Sequence, residues 1–158
     1  LAGALLASMA KVNMLHVPYK GGGPAAAAAI SGEVQAHFPA GSVGVPHHKA
    51  GRLRAIAFTG AKRLSSLPDV PTVGETVNGY VSDAGWHGMF GPAKLPMPIA
   101  RKVQEAVHKA LQEPKVRAHF VDNGYEPNGD PPEVWAKLFR SDVKRFADIA
   151  KAAGIEPQ

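Results

Sequence analysis

A glycine run between an apolar segment and an alanine-rich segment constrains the fold of this chain more than any other feature. Residues 14–17 are apolar and predict a short strand, and residues 25–30 predict a helix. Three glycines at 21–23 join the two segments, and Pro24 suits a first helical turn because its missing N–H is not needed there. When a glycine turn joins a strand to a helix, the main-chain N–H groups at the start of the helix can point at an anion. Glycine has no Cβ atom that would keep the ligand away from the backbone. A tight turn without a ligand explains the glycines equally well.

Strands and helices continue to alternate after this turn. Residues 34–38 and 53–59 predict strands, and residues 43–50 between them predict a short helix. Ser42 is the expected N-cap of that helix, and Gly51 is expected to close it. Short connections between alternating elements predict an α/β fold, in which helices cover a parallel sheet.

Helices dominate the second half of the chain. A loop with two prolines is predicted over residues 64–75, and a strand-like aromatic segment follows over 80–90. Three helices are then predicted, over residues 98–111, over 115–123 and over 130–154, the last with an N-cap at its first residue.

The beginning of the chain predicts that it is a fragment. Leu1, Leu5, Leu6 and Met9 fall on one face of a helix, and no initiator Met precedes them. We therefore expect the chain to start inside an amphipathic helix, with its upstream part missing.

The composition excludes several functions. Of the 158 residues, 45% are hydrophobic and 20% are charged, as in soluble globular proteins. Lys and Arg exceed Asp and Glu by five (18 against 13), but the basic residues are scattered, so we expect no nucleic-acid partner. The absence of cysteine excludes disulfides, thiolate zinc sites and a cysteine nucleophile. No apolar run approaches the roughly 18 to 20 residues of a membrane span.

No pattern of catalytic or metal-binding residues stands out. His37, His47 and His48 are near one another in sequence, but adjacent histidines point apart and no carboxylate at suitable spacing accompanies them. The serines lie outside nucleophile elbows, and the glycine run lacks the Gly-Lys-Ser/Thr ending of a phosphate-binding loop. We therefore predict no catalytic residue, no metal and no cofactor.

Five motifs together resemble a known family. They are HVPYKGGGP at 16–24, AGRLRAIA at 50–57, LPDVPTVGE at 67–75, WHGMFGPA at 86–93 and AGIEP at 153–157. In this order and spacing they closely resemble the substrate-binding proteins of tripartite tricarboxylate transporters, the Bug-type receptors. The resemblance covers essentially the whole chain.

The resemblance implies a periplasmic solute-binding receptor with a two-lobed α/β fold, parallel-type sheets flanked by helices, and a ligand cleft that closes by a hinge motion. Such a receptor binds a small carboxylate, delivers it to membrane permease subunits and catalyses nothing. Residues 1–82 would form most of the second, ligand-cleft lobe without its N-terminal part. Residues 83–158 would return to the first lobe and add the terminal helices. We expect the incomplete first lobe to expose a sheet edge that pairs with another copy, a non-native self-association.

The resemblance also implies candidate ligand-binding residues. The loop that faces the cleft in the second lobe matches Tyr19, Lys20, Gly21, Gly22 and Gly23. Phe38, Pro39 and Ala40 stand where many members have Phe-Asp-Asn, whose aspartate can pair with an amino group of the ligand. The absence of that aspartate favours a plain organic acid.

Two further candidates are Ser42 and Trp86, the latter matching an aromatic residue at the return to the first lobe, near the hinge. Each candidate has a structural alternative. Lys20 is as well explained as a solvated lysine, Tyr19 as a packed aromatic residue and Ser42 as a helix N-cap, and Trp86 is expected to pack at the hinge in either case.

Two other classes of protein remain as alternatives. An enzyme on the same scaffold would need a general base or nucleophile in its cleft, since a fold does not determine a function. A cytoplasmic sensor or interaction domain would lack a signal peptide in the full gene.

Overall fold

Three short helices, α1 (Ala2–Ala10), α2 (Gly22–Ser31) and α3 (Gly41–Lys49), begin the chain. They are seen in a computed structural model that describes residues 1–82 and 86–152. All three helices coincide with predicted ones, but α2 and α3 begin two or three residues earlier than their sequence patterns indicate.

Internal contacts divide the chain into two units. The first contains Leu1–Gly85 and Val121–Glu126, and the second contains Trp86–Phe120 and Pro127–Gln158. The assignment of residues 1–82 and 83–158 to particular lobes of a receptor stays a prediction.

The alanine run of α2 favours a helix because alanine loses little conformational freedom there. Ala26 and Ala28 are buried, and the helix packs against α3. Gly32 ends α2 in a left-handed conformation (φ 79°), from which its N–H donates to the carbonyls of Ala28 and Ala29.

The start of α3 corrects the prediction that Ser42 is its N-cap. The N-cap is Ala40, which has an extended backbone (φ −62°, ψ 152°). The Ala40 carbonyl accepts the N–H groups of Val43 (2.9 Å) and Gly44 (3.0 Å), so helical hydrogen bonding begins two residues before Ser42. Ser42 lies within the first turn, and no side chain caps this helix within the described residues.

The predicted strands at residues 14–17, 34–38 and 53–59 are not observed. Within the described residues there is a single parallel bridge, in which the Phe58 N–H donates to the Pro71 carbonyl (2.8 Å) and the Phe58 carbonyl accepts the Val73 N–H (2.7 Å). A strand requires a neighbouring strand to complete its hydrogen bonds, and an apolar pattern does not supply that neighbour. The predicted sheet, and the pairing of its edge with another copy, are therefore not part of this structure and stay predictions for the protein as a whole.

The described part of the predicted aromatic segment at 80–90 also contains no strand, and residues 83–85 of that segment lie outside the described residues. Tyr80 instead belongs to the core of the first unit, where its hydroxyl donates to the Ala2 carbonyl (3.1 Å) and burial raises its pKa. The Ser82 N–H donates to the Thr59 carbonyl (2.7 Å), which joins the two ends of the intervening loop.

A capping box and an ion pair stabilise the loop between Thr59 and Ser82. Thr72 and Glu75 form a capping box around the 3₁₀ turn Val73–Glu75, with the Thr72 N–H donating to the Glu75 carboxylate (2.8 Å). Arg63 donates to both oxygens of Glu75 (2.9 and 2.5 Å) and to the Pro68 carbonyl (2.9 Å). The LPDVPTVGE motif therefore has a clear structural role.

The segment Val121–Glu126, which belongs to the first unit, contacts the rest of that unit at three points. Lys49 donates to the carbonyl (3.1 Å) and the carboxylate (3.2 Å) of Asp122. The amide and hydroxyl of Ser65 donate to the Glu126 carboxylate (3.1 and 2.7 Å). Between these points, a Cβ on Gly41 would lie 2.6 Å from the Gly124 carbonyl oxygen, so the backbones approach at a distance that requires glycine.

The second unit contains most of three helices, α4 (Met97–Gln112), α5 (Pro114–Asp122) and α6 (Pro132–Ala152), of which the last two residues of α5 belong to the first unit. Helices α4 and α6 pack together, with an Arg101–Glu133 ion pair (3.3 Å) on the surface. All three helices match their predicted positions. The prediction that Asp130 is the N-cap of α6 is wrong, because the helix begins at Pro132 and the Pro131 carbonyl accepts the Trp135 N–H (3.0 Å). The predicted end of α6 at 154 and the motif at 153–157 lie outside the described residues. No helix in the described part of the chain combines the length and apolar character needed to cross a membrane.

Replacing Glu75 by Gln tests the ion pair that closes the loop. The Arg63 guanidinium, followed by the hydrogen bond from Thr72, lowers the pKa of Glu75 from 4.5 to about 2. A carboxyl group with a lowered pKa stabilises the folded chain above its unfolded pKa, and this contribution is lost as the pH falls through the folded value. We expect E75Q to lower the urea midpoint at neutral pH, and the difference from wild type to shrink as the pH falls from about 4.5 towards 2. Urea titrations followed by circular dichroism measure both quantities. Glu105→Gln, on the exposed surface of α4, is the control, and a difference that stays constant over this pH range would contradict the assignment.

Candidate functional site

The N-terminus of α2 presents main-chain donors to solvent. Gly21, its N-cap, has φ 104° and ψ 175°, a conformation that is essentially restricted to glycine. The first helical hydrogen bond runs from the Ala25 N–H to the Gly21 carbonyl (3.5 Å), so the amides of Gly22 and Gly23 precede the helical ladder. Both residues are exposed, and within the described residues their amides donate to no protein acceptor.

The N-terminus of α3 has the same character. Its N-cap, Ala40, has no side-chain oxygen, and the amides of Gly41 and Ser42 precede the first helical hydrogen bonds. In the part of the chain that the structure describes, neither amide has a protein acceptor. Both residues are half-buried, which places these donors at the edge of the protein interior.

The two helix N-termini lie side by side. A Cβ on Gly22, the first residue of α2, would lie 3.3 Å from Cγ2 of Val43, in the first turn of α3. Each helix N-terminus carries about half a positive charge, and neither first turn contains an acidic residue that would neutralise it. The pair of N-termini, defined by Gly22, Gly23, Gly41 and Ser42, is therefore a positive, donor-rich surface suited to an anion.

Tyr19 and Lys20 precede this surface. The Tyr19 hydroxyl donates to the Glu33 carboxylate (2.8 Å), and this hydrogen bond raises the pKa of Tyr19. The Tyr19 hydroxyl is therefore hydrogen-bonded to a residue that lies beyond the C-terminal end of α2. Lys20 is exposed, in a position to add positive charge near the glycines.

Phe38 and Pro39 pack on neighbouring helices. A Cβ on Gly3 of α1 would lie 3.0 Å from Cε2 of Phe38, and a Cβ on Gly44 would lie 2.8 Å from Cγ of Pro39. These contacts hold the segment that precedes α3, and with it the N-terminus of α3, against α1. The three residues Phe38, Pro39 and Ala40 therefore position donors without contributing a charged group.

Trp86 lies in the second unit and is anchored to α6. Its Nε1–H donates to the Asp142 carboxylate (3.0 Å), and its ring meets Trp135 (centroids 4.7 Å apart) and Phe139 (5.6 Å) edge to face. Trp86 is 37% exposed. The indole N–H is engaged by the protein.

His37 and His47 have buried Nδ1 atoms without a hydrogen-bond partner in the described residues. Burial, followed by the proximity of His47, lowers the pKa of His37. His48 is engaged separately, because its Nδ1 accepts the Ala55 N–H (3.3 Å). Across residues 1–82 and 86–152, no three histidine, aspartate or glutamate side chains converge in a way that could hold a metal ion.

The sequence patterns missed the residues that bring the two N-termini together. Val43 supplies the contact with Gly22, and Gly124 packs against the first residue of α3 from a distant part of the chain. The available signals were the glycines themselves: Gly41 is the first helical residue after an N-cap without a side-chain oxygen, and Gly124 follows α5 in a left-handed conformation (φ 76°).

Solved structures with similar folds include a periplasmic binding protein and two proteins solved with carboxylic acids. An R. palustris protein solved with adipate superposes with a TM-score of 0.89 at 29% identity, covering 99% of this chain and 52% of that one. The periplasmic binding protein BugD gives a TM-score of 0.79 at 30% identity, covering 99% of this chain and 53% of its own. MatC from Rhodopseudomonas palustris, with bound malate, gives 0.74 at 31% identity, covering 94% and 51%.

The family model for the tripartite tricarboxylate transporter family receptor matches residues 1–155, and the chain belongs to this family. This confirms the predicted resemblance. The family is one of solute-binding receptors and not of enzymes. Among curated relatives, the UPF0065 protein in the tcbD–tcbE intergenic region of a Pseudomonas species is 34% identical over 151 residues, covering 94% of this chain and 45% of that protein. Protein BugT of Bordetella pertussis is 27% identical over 147 residues, covering 93% and 44%. The chain thus spans about half the length of these relatives.

Alanine substitutions at Gly21 and Gly23 test whether the backbone conformation requires glycine at each position. Gly21→Ala forces a non-glycine residue into a positive φ (104°), and we expect it to destabilise the chain by about 1–3 kcal/mol. Gly23 has no atom within 4 Å of a new Cβ, so we expect Gly23→Ala to leave the stability unchanged or to raise it by about 0.4–1 kcal/mol. Urea unfolding of both variants measures the two values. Equal destabilisation would show that the fold, and not a ligand, requires glycine at 23.

Proposed function

We propose that this chain belongs to a solute-binding receptor that captures a small organic acid for a tripartite tricarboxylate-type transporter. The observation that carries this proposal is the pair of helix N-termini, with four main-chain amides that have no protein acceptor within the described residues. Paired N-termini of this kind suit a carboxylate, whose two oxygens accept several N–H donors at once.

Binding follows from the electrostatics of these donors. Each helix N-terminus contributes about 0.3–1 kcal/mol towards a nearby anion at an exposed surface, and more where water is excluded. Closure of the receptor around the acid would exclude water and lower the local dielectric, so the same dipoles would act more strongly. The amides are fixed before the ligand arrives, so little ordering of the backbone is needed on binding.

The chemistry of the site favours an acid without an amino group. Relatives in structure were solved with adipate and with malate, both plain organic acids. Phe38, Pro39 and Ala40 offer no carboxylate to an ammonium group. We assign ligand contacts to the backbone amides of Gly22, Gly23, Gly41 and Ser42, with Lys20 adding charge. The N–H of Gly21 donates to the Tyr19 carbonyl (2.9 Å), so Gly21 shapes the turn, and Tyr19, Phe38, Pro39 and Ala40 line the approach. A ligand contact by Trp86, which lies in the second unit, stays a prediction from the family resemblance.

The wider architecture is proposed from the family. It comprises two α/β lobes with parallel-type sheets, the second lobe containing residues 1–82 and the first receiving residues 83–158. Residence in the periplasm and delivery to membrane permease subunits belong to the same proposal, and the family match over residues 1–155 supports them.

Calorimetry on the product of the complete open reading frame tests the function. We expect binding of adipate, malate or another plain carboxylate, weaker binding of glutamate, and recovery of the bound acid unchanged. Binding of neutral sugars without any carboxylate would refute the proposal, and turnover of the acid would favour an enzyme instead.

An aspartate placed among the donors should compete with the ligand. Gly23→Asp puts a carboxylate in the first turn of α2, where it interacts favourably with the helix dipole. We therefore expect the Tm to stay the same or rise, while affinity for the best-bound acid falls at least about tenfold, the equivalent of 1.4 kcal/mol. Gly23→Asn is the matched neutral control and should lose less affinity. Unchanged affinity in Gly23→Asp would remove this surface from the binding site.

A further inference from the structure

Three Asn-Gly pairs are a chemically reactive feature of this chain that has no part in the anion-binding surface. They begin at Asn78, Asn123 and Asn128, so three of the four asparagines precede a glycine. Asparagine is a thermolabile residue, and a following glycine increases its reactivity because no side chain shields the glycine amide. The glycine nitrogen can then attack the side-chain carbonyl carbon of the asparagine and close a five-membered imide ring.

The backbone conformation does not distinguish the three pairs. Their glycines all have a positive φ, which is 79° at Gly79, 76° at Gly124 and 64° at Gly129. Ring closure requires the glycine amide and the asparagine side chain to move towards each other. A difference in reactivity between the pairs must therefore come from the contacts that hold them in place.

Contacts within the first unit hold the pair Asn123-Gly124. The Gly124 N–H donates to the Val121 carbonyl (2.9 Å), so the attacking nitrogen is already engaged. Asn123 is half-buried, and a Cβ on Gly124 would lie only 2.8 Å from Cγ2 of Val45, which shows how closely this backbone is packed. Ring closure here would break a hydrogen bond and displace a packed segment.

Contacts with Asp130 and with α4 hold the pair Asn128-Gly129 in the second unit. The Asn128 side-chain amide, which contains the leaving group, donates to the Asp130 carboxylate (2.6 Å). The Gly129 carbonyl accepts the side-chain amide of Gln104 (2.8 Å), and a Cβ on Gly129 would lie 3.1 Å from Cα of His108. Both residues of this pair are therefore fixed.

The pair Asn78-Gly79 has no comparable contacts. Both residues are exposed, and within the residues that the structure describes neither the Gly79 amide nor the Asn78 side chain has a hydrogen-bond partner. The described atom nearest to a Cβ on Gly79 would be Cε of Met9, at 3.9 Å. The turn that contains the pair is closed by the Tyr80 N–H, which donates to the Val77 carbonyl (3.0 Å), so the Gly79 nitrogen takes no part in closing it.

We propose that Asn78 is the site at which the folded protein deamidates, and that their contacts protect the other two pairs. The Gly79 nitrogen bonds to Cγ of Asn78, the Cγ–Nδ2 bond breaks, and ammonia leaves with the proton of the Gly79 amide. Water then opens the imide. Attack at Cγ gives aspartate, and attack at the main-chain carbonyl carbon gives isoaspartate, in which the chain continues through Cγ. This inference is independent of the function proposed above.

Isoaspartate at position 78 would add one atom to the main chain of a turn that leads into the core. The Val77 carbonyl and the Tyr80 N–H, which close the turn, could not keep their present spacing. Tyr80 is 1% exposed, so its displacement would disturb the packing of the first unit. Aspartate leaves the length of the main chain unchanged and should have little effect on stability.

Peptide mapping of the product of the complete open reading frame, aged at mildly alkaline pH, tests the selection of Asn78. Fragment mass spectra assign each replacement of NH₂ by OH to one asparagine. We expect Asn78 to react at least about tenfold faster than Asn123 and Asn128 in the folded protein, the scale of one hydrogen bond that must break. In guanidinium chloride the three rates should converge. Equal rates in the folded protein, or no reaction at Asn78 while the denatured chain reacts, would overturn the inference.

Gln104→Ala tests whether contacts protect the other pairs. This change removes the hydrogen bond to the Gly129 carbonyl, so we expect the rate at Asn128 to rise about two- to tenfold and the rate at Asn78 to stay the same. Gln112→Ala, which removes an exposed glutamine from the same helix, is the control and should change neither rate. An unchanged rate at Asn128 in Gln104→Ala would contradict protection by these contacts.

Urea unfolding of the aged protein tests the consequence for stability. The isoaspartyl fraction, recognised because a protease that cleaves before aspartate does not cut at residue 78, is separated by chromatography. We expect its urea midpoint to lie below that of Asn78→Asp, the matched variant with the same charge and a main chain of normal length. Asn78→Asp itself should unfold close to wild type. Equal midpoints for the isoaspartyl fraction and Asn78→Asp would refute the effect on the core.

Discussion

Unsatisfied main-chain N–H groups at the starts of α2 and α3 are the constraint on which the rest of this structure depends. A helix cannot satisfy its own first amides, and here neither N-cap supplies a side-chain oxygen. The contact between Gly22 and Val43 brings two positive helix ends together, so their potentials add instead of being dispersed. Such an arrangement favours an anion at the two helix ends, which is the basis of the function proposed above.

The packing of the first unit keeps these ends where they are. Ala26 and Ala28 are buried, and α2 packs against α3, with Gly22 close to Val43. The backbones of Gly41 and Gly124 lie closer together than a Cβ on Gly41 would permit. Lys49 and Ser65 hydrogen-bond to the chain on either side of Gly124. A chain segment distant in sequence thus supports the first turn of α3.

Helices were predictable from the sequence, and sheet pairing was not. The alanine run, the prolines and the terminating glycines act locally, so α2, α4 and α5 appear close to their predicted positions. Strands depend on partners elsewhere in the chain, and side chains such as Leu15 (91% exposed) and Ile56 (77% exposed) find no sheet to pack on in the described residues. Ser42 was a plausible cap by residue type, but the Ala40 carbonyl starts the helix. An anion site at the glycine corner follows from the local sequence pattern and stays a prediction, whereas the proximity of Gly41 to that corner depends on tertiary contacts that no local pattern reveals.

A crystal structure of the product of the complete open reading frame with adipate is the most direct test of the central claim. The account predicts a carboxylate oxygen within hydrogen-bonding distance, about 2.7–3.2 Å, of amide nitrogens among Gly22, Gly23, Gly41 and Ser42. An acid held by side chains elsewhere, with these amides facing only solvent, would contradict it.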